Sequence, residues 1–297
     1  MARLLLRLSQ AFLAHAFPSC REDLPRMRIV NIKPGRSQRT IAALVPIVLI
    51  LLVYGVLSAN RAQEMPGDKI LPTFMAMGEA AWRLATEVDP RTGQVTALSD
   101  TLASLWRLGM GVGIATLSAL FLGLALGVVP YVRAFLGPLI AVISVIPPIA
   151  VLPILFIALG LGETAKIALI AIGIAPVMIR DMTGHVRGLP AEQMVKAQTL
   201  GANSWQLTLR VALPQALPRL LESLRLSMGP AWVFLISAEA IASDVGLGYR
   251  IFLVRRYLSM DIILPYVAWI SILAIAMDAI LLLASRRLFP WAHGEAR

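Results

Sequence analysis

The chain has 297 residues, 58% of them hydrophobic and only 15% charged, with a mean hydropathy of +0.76. Soluble globular proteins carry about 25% charged residues, so these values argue against a soluble enzyme, a disordered chain or a disulfide-stapled scaffold (Cys20 is the single cysteine), and place the bulk in lipid. In that setting the net charge of +10 reads as arginines held on the cytoplasmic side of a membrane, not as a nucleic-acid surface.

Residues 1–39 form a basic tail in which Arg3, Arg7, Arg21, Arg26, Arg28, Lys33, Arg36 and Arg39 precede the first apolar stretch. Arg3 and Arg7 before a modest apolar run faintly resemble a signal peptide, but His15 and Pro18 interrupt that run and a full span follows; Met27 is an alternative start. Residues 40–59 are uncharged and long enough to cross a bilayer, which takes roughly 20 apolar residues as helix. Residues 60–101 follow as an outward segment with nearly balanced charge. Within it, 71–88 places Phe74, Met77, Ala81, Trp82, Leu84 and Ala85 at helical spacing. That predicts a surface-lying helix, ended by the turn Asp89-Pro90-Arg91-Thr92-Gly93.

The core runs over 102–287, with further spans expected at 108–132, 134–162, 166–180, 226–243 and 262–285. The third of the six is interrupted by Pro147, Pro148 and Pro153, and the fourth is short, with Lys166 and Arg180 expected to snorkel from its ends. Basic residues before the first span, and Arg286 and Arg287 after the last, put both termini in the cytoplasm, which demands an even number of spans. Residues 288–297 are then a cytoplasmic tail. The basic run Tyr249–Tyr257 resists this rule, because it falls outside; its Arg250, Arg255 and Arg256 read as interface anchors, a binding-protein surface or an attraction for an anionic solute.

No phosphate-binding GxxxxGK[ST] loop, HExxH, CxxC or GxSxG occurs, so neither ATP hydrolysis by a phosphate loop, a metal site nor an intramembrane hydrolase is expected, and no cofactor. Within the expected spans the ionisable groups are Glu239, Asp278 and, at an edge, Asp181. That is too sparse for the relay an ion-coupled carrier uses. The sequence reads as a conduit without its own motor; a self-sufficient channel or ion-coupled carrier is the alternative.

The cytoplasmic loop 184–219 carries the most local information. Pro190 opens a helix, Glu192 suits its positive end, and Gly201 stops it in a left-handed conformation. Asn203 caps a second short helix, 204–211, which Pro214 and Pro218 are expected to end. The series Ala197-Gln198-Thr199-Leu200-Gly201-Ala202, Val211-Ala212-Leu213-Pro214 and Ala216-Leu217-Pro218 resembles the EAA loop of ABC importer permeases. Aligned on Gly201, the motif's Glu-Ala-Ala falls on Val195, Lys196 and Ala197, so its glutamate is absent, and Glu192 one turn earlier is the candidate substitute.

Ile146–Pro153, Gly160–Lys166, Ala238–Ala242 and Gly246–Tyr249 resemble the nitrate/sulfonate/taurine branch of those permeases, over roughly residues 100–290. The resemblance implies an all-α membrane protein of about six transmembrane helices with the MetI-like type I importer fold. It further implies a small nitrogen- or sulfur-containing solute moved across a bacterial inner membrane by alternating access, a second permease copy, two ABC ATPase subunits and a solute-binding protein. Glu192, Lys196, Ala197, Leu200, Gly201, Ala202, Val211, Leu213 and Pro214 become the expected coupling residues.

For the pathway or gate the candidates are Pro147, Pro148, Met228, Trp232, Ser237 and Glu239. Glu239 reads equally as a solute contact or as an ion-pair partner of Arg250, Arg255 or Arg256. Asp278 is expected to pair with Arg286 or Arg180. Gly109, Gly111, Gly113, Gly123 and Gly127 are read as close helix packing.

Overall fold

A computed structural model describes residues 35–65, 69–88, 93 and 95–293. The expected tail before residue 35 and the turn residues 89–92 lie outside these. The chain divides into two units, Met1–Tyr54 and Gly55–Arg297. The described part of the first unit belongs to helix α1, Arg36–Glu64, whose apolar side chains from Ile41 to Val53 are all exposed. A helix that is hydrophobic all round and buries nothing against its own unit is suited to lipid.

In the second unit, α2 (Phe74–Thr86) confirms the helix expected at 71–88; the Thr73 hydroxyl accepts from the Ala76 N–H at its start. The long helices α3 (Thr96–Val128) and α6 (Glu163–Arg187) form the centre of the core. Gly111, Ala115, Ala119, Gly123 and Gly127 recur every four residues on α3, and Ile170, Ile174, Met178, Met182 and Val186 do so on α6. A Cβ on Gly111 would stand 2.7 Å from Ile170 Cβ, on Gly123 2.5 Å from Met182 Cβ, and on Gly127 2.5 Å from a Val186 methyl. A row of small residues thus receives a row of large ones, the packing that drives helix association where lipid removes the hydrophobic incentive. Gly109 and Gly113 face open space and take no part. The three pairs share one sequence offset, so α3 and α6 run parallel.

Parallel neighbours require the chain to return between them. It does so through α4 (Pro130–Ile143) and α5 (Pro148–Leu159), bent by 98° at a break around 144–147. The pair, bent by that angle, spans about 26 Å end to end at 1.5 Å per residue, close to the ~30 Å hydrocarbon core; counted as one broken span, it brings the candidate crossings among the described residues from five to six. The interrupted span expected at 134–162 is found, with bounds Pro130–Leu159. Pro147 and Pro148 break it, because proline disfavours helix in the residue before it, whereas Pro153 lies inside α5 without interrupting it.

Two further boundaries move. The fourth span is not limited to its uncharged stretch, since α6 extends past Lys166, Arg180 and Asp181, and Lys166 turns inward instead of snorkelling. Pro214 and Pro218 do not end the second loop helix: Ser204–Ile241 is one helix, α8, containing a π segment at Leu207–Ala212. The wider π turn just ahead of Pro214 relieves the clash and missing donor that proline imposes on a regular α-helix. After α8, the short α9 (Leu247–Arg255) and α10 (Met260–Leu288) complete the bundle, and a 3-10 turn, Pro290–His293, follows in the expected tail.

Candidate functional site

The directions of α3, α6 and α8 put two polar regions at opposite ends of the bundle. One is the elbow after α6; the other gathers the starts of α3 and α6 with the end of α8.

The elbow is built from local rules. Helix α7 (Ala191–Thr199) ends with a complete Schellman motif: Ala202 N–H donates to Ala197 O at 3.0 Å and Gly201 N–H to Gln198 O at 2.9 Å. Gly201 has φ +84°, a region open to glycine at little cost. Asn203 then starts α8 with a capping box, accepting from Gln206 N–H at 2.8 Å while its own N–H donates to the Gln206 side chain at 3.1 Å. Glu192, Lys196, Leu200, Gly201 and Pro214 are exposed; Ala197, Ala202, Val211 and Leu213 are half-buried behind them. Leu200 is 88% exposed and Trp205 70%, two large apolar groups held outward on a rigid turn.

Gln215, absent from the sequence-based set, ties the elbow to the bundle. Its amide donates to the Gln193 side chain at 2.9 Å, and its carbonyl lies 3.2 Å from His185 Nε2. Deeper, Arg219 grips Asp181 with two bonds, and Arg225 grips Asp278 at 2.9 and 2.8 Å. Asp278 therefore pairs with neither Arg286 nor Arg180, because α8 packs beside α10 and brings Arg225 to it; Arg180 donates instead to Ser144.

At the opposite end a hydrogen-bonded cluster joins three acids and three cations. Glu239, fully buried, accepts from Ser104 at 2.8 Å, Arg107 Nη1 at 2.7 Å and Gly248 N–H at 2.9 Å. Asp100, also fully buried, accepts from Arg250 at 2.8 Å, Tyr266 at 3.1 Å and Gly246 N–H at 3.0 Å. Both carboxylates thus face the N-terminal amides of α9, where the helix dipole favours negative charge. Gly246 is required there: φ is +139° and a Cβ would stand 2.6 Å from the Glu239 carboxyl carbon.

The third acid, Glu163, accepts from Arg107 Nε at 2.5 Å, Arg107 Nη2 at 2.8 Å and Lys166 at 2.9 Å. The cluster answers the puzzle of the basic 249–257 run in part, since Arg250 is neutralised by Asp100. Burial lowers the Arg250 pKa, but the bond and charge of Asp100 outweigh it and raise the value overall.

The structure places the pathway candidates in different settings. Glu239 pairs with Arg107, not with Arg250, Arg255 or Arg256. Met228 and Trp232 are buried in the main core, and the Ser237 hydroxyl donates to Val233 O of its own helix. Pro147 and Pro148 lie at the α4–α5 break, apart from the others. Sequence reading missed Asp100, Ser104, Arg107, Glu163 and Lys166 as a cluster. Their signal was cations close to apolar stretches, hidden because the spans were trimmed at each charge. Among the described residues, no group of three His, Cys, Asp or Glu is placed to hold a metal.

Residues 115–291 match the family described as binding-protein-dependent transport system inner membrane component. The taurine transport system permease protein TauC of Escherichia coli (strain K12) is 39% identical over 66% of this chain and 70% of its own length. The bicarbonate transport system permease protein CmpB of Synechococcus elongatus is 30% identical over 77% and 82%. Among solved structures, a bacterial ABC transporter involved in the import of the acidic polysaccharide alginate aligns with TM-score 0.56 at 12% identity, over 85% of this chain and 99% of that one. An inward-facing MetNI methionine ABC transporter aligns with TM-score 0.54 at 18% identity, over 65% and 94%. These two share the fold. Six apolar crossings, a capped elbow at one end and the family match over more than half of the sequence agree: the chain belongs to the binding-protein-dependent transport system inner membrane component family and is a multi-pass permease subunit of an ABC importer, a class that works with an ATPase and a binding protein.

Proposed function

We propose that the elbow, residues 188–215, lies in the cytoplasm and seats in a groove of the ATPase, and that two copies of this chain and two ATPase subunits form the working importer. Both termini are then cytoplasmic. The supporting observation is the Schellman-capped turn at Gly201, which holds Leu200 and Trp205 outward on a short, doubly capped knob. Apolar groups so exposed on a rigid support are suited to a partner's pocket. ATP binding brings the two ATPase subunits together, the knobs follow, and the bundle shifts from inward-open to outward-open; hydrolysis resets it. The motor resides in the partner, because this chain has no phosphate-binding loop.

The solute is a small nitrogen- or sulfur-containing molecule of the sulfonate, taurine or nitrate kind; the taurine and bicarbonate relatives support a small, oxyanion-bearing cargo. Reconstitution tests both parts. Uptake of radiolabelled taurine or an alkanesulfonate into proteoliposomes is expected only with the ATPase, the binding protein and ATP present. Uptake by the permease alone would instead establish a channel or ion-coupled carrier.

A further inference from the structure

The three acids of the charge cluster are not held alike. Asp100 and Glu239 are fully buried and take backbone N–H and hydroxyl bonds besides their cations. Glu163 is bonded, among the described residues, only by Arg107 and Lys166, and its side chain is 51% exposed. The two cations are the reverse: their side chains are 5% and 4% exposed. Two buried cations thus present themselves toward solvent through a single exposed carboxylate.

Glu163 also sits on an unencumbered segment. Gly160 has φ +78°, and at both Gly160 and Gly162 an added Cβ would meet nothing within 4 Å, so the approach to Glu163 is open. If the Glu163 carboxylate leaves, Arg107 and Lys166 face Glu239 alone and the pocket carries a net positive charge. The vacated place keeps the flat Arg107 fork (Nε and Nη2), with the Lys166 ammonium beside it and the Ser243 hydroxyl 3.2 Å from that ammonium. A planar fork with a third donor fits two oxygens of a carboxylate, a bicarbonate or a sulfonate.

We propose that Arg107 and Lys166 form a binding site for a small oxyanion at the end of the bundle opposite the elbow, occupied at rest by the chain's own Glu163 carboxylate, which the solute displaces. The site deepens the reading of the chain as an importer of a small oxyanion-bearing solute and rests on it. Glu163 serves as an internal stand-in that keeps two buried charges neutral between transport cycles and selects against cargo lacking an acid group. A tethered competitor acts at an effective concentration on the order of millimolar, so the intact site is expected to bind free anions weakly.

The test uses the permease–ATPase complex in lipid nanodiscs. Its melting temperature is recorded against increasing taurine, methanesulfonate or bicarbonate, with glycerol as the uncharged control. Glu163→Gln removes the competing charge, and the half-effective anion concentration is expected to fall about tenfold or more below wild type, with no response to glycerol. Adding Lys166→Met to Glu163→Gln is expected to abolish the gain. Equal anion responses in wild type and Glu163→Gln, or a gain that survives Lys166→Met, overturn the site.

Should Glu163→Gln fail to assemble, Glu163→Asp serves: its shortened carboxylate competes less well and is expected to lower the half-effective concentration by a few fold. Identity with wild type would again overturn the proposal. Wild-type uptake measured in parallel separates the two failures, because loss of the oxyanion site leaves ATPase-dependent transport standing, whereas failure of the importer reading abolishes it.

Discussion

The two ends of this bundle keep their polar groups by opposite means. The elbow is assembled from neighbours in sequence: a Schellman turn at Gly201 and a capping box at Asn203–Gln206, with Leu200 and Trp205 left outward. The charge cluster joins residues more than a hundred positions apart, such as Ser104 with Glu239 and Asp100 with Arg250, and buries all but one of its carboxylates. A local device survives the movement of its surroundings and suits a part that travels with a partner. A long-range buried network ties together helices distant in sequence, and suits a part that holds several helices in register.

The comparison breaks first at Glu239. Replacing it with Ala leaves Arg107 buried beside an empty place, and a loss of about 3–5 kcal/mol is expected, read as a large fall in melting temperature or failure to accumulate. A Glu239→Ala protein as stable as wild type would show that the cluster does not hold the helices.

The α3–α6 ladder gives the next effect. Gly123→Ala drives a methyl against the Met182 Cβ, which has no freedom to retreat, and about 1–3 kcal/mol is expected from the same melting measurement. Gly113→Ala, facing open space on the same helix, is the matched control and should lose nothing.

At the elbow the expected signs separate stability from coupling. Gly201→Val imposes a β-branched residue on φ +84°, a local strain of about 1–3 kcal/mol that leaves the bundle melting transition nearly unchanged. ATP-driven uptake is expected to stop while the ATPase still co-purifies; normal uptake would remove the hinge role of Gly201. Leu200→Asp combined with Trp205→Ala touches exposed positions only, so stability should shift by less than about 0.5 kcal/mol. Co-purification of the ATPase is expected to be lost, and its retention would place the docking contact elsewhere.

The smallest effect sharpens the contrast between buried and open pairs. Arg225 and Asp278 are bonded twice, yet their side chains are 26% and 46% exposed. A double-mutant cycle on this pair is expected to give about 0.2–1 kcal/mol, well below the Glu239 effect.

Much of this was legible from the chain. Long uncharged stretches announced spans, and the Gly201 and Asn203 signals placed the elbow because caps and turns are decided by adjacent residues. What failed did so for identifiable reasons. Trimming spans at charged residues excluded Arg107 and Lys166, which stay inside because acids on other helices neutralise them. Pro214 looked like a stop, but a π segment beside it let the helix continue. Glu239 and Asp278 were matched to the wrong arginines, because their partners Arg107 and Arg225 sit on helices whose neighbours the sequence does not show.

The sequence by itself determined the membrane class and the capped turn, since each depends on composition or on contacts within a few residues. Only the tertiary structure decided which acid meets which cation, that α4 and α5 meet at a 98° bend, and that α3 and α6 run parallel. Those choices depend on which helices become neighbours, and a charge in an apolar setting is tolerable only where a partner from a distant part of the chain comes within hydrogen-bond reach.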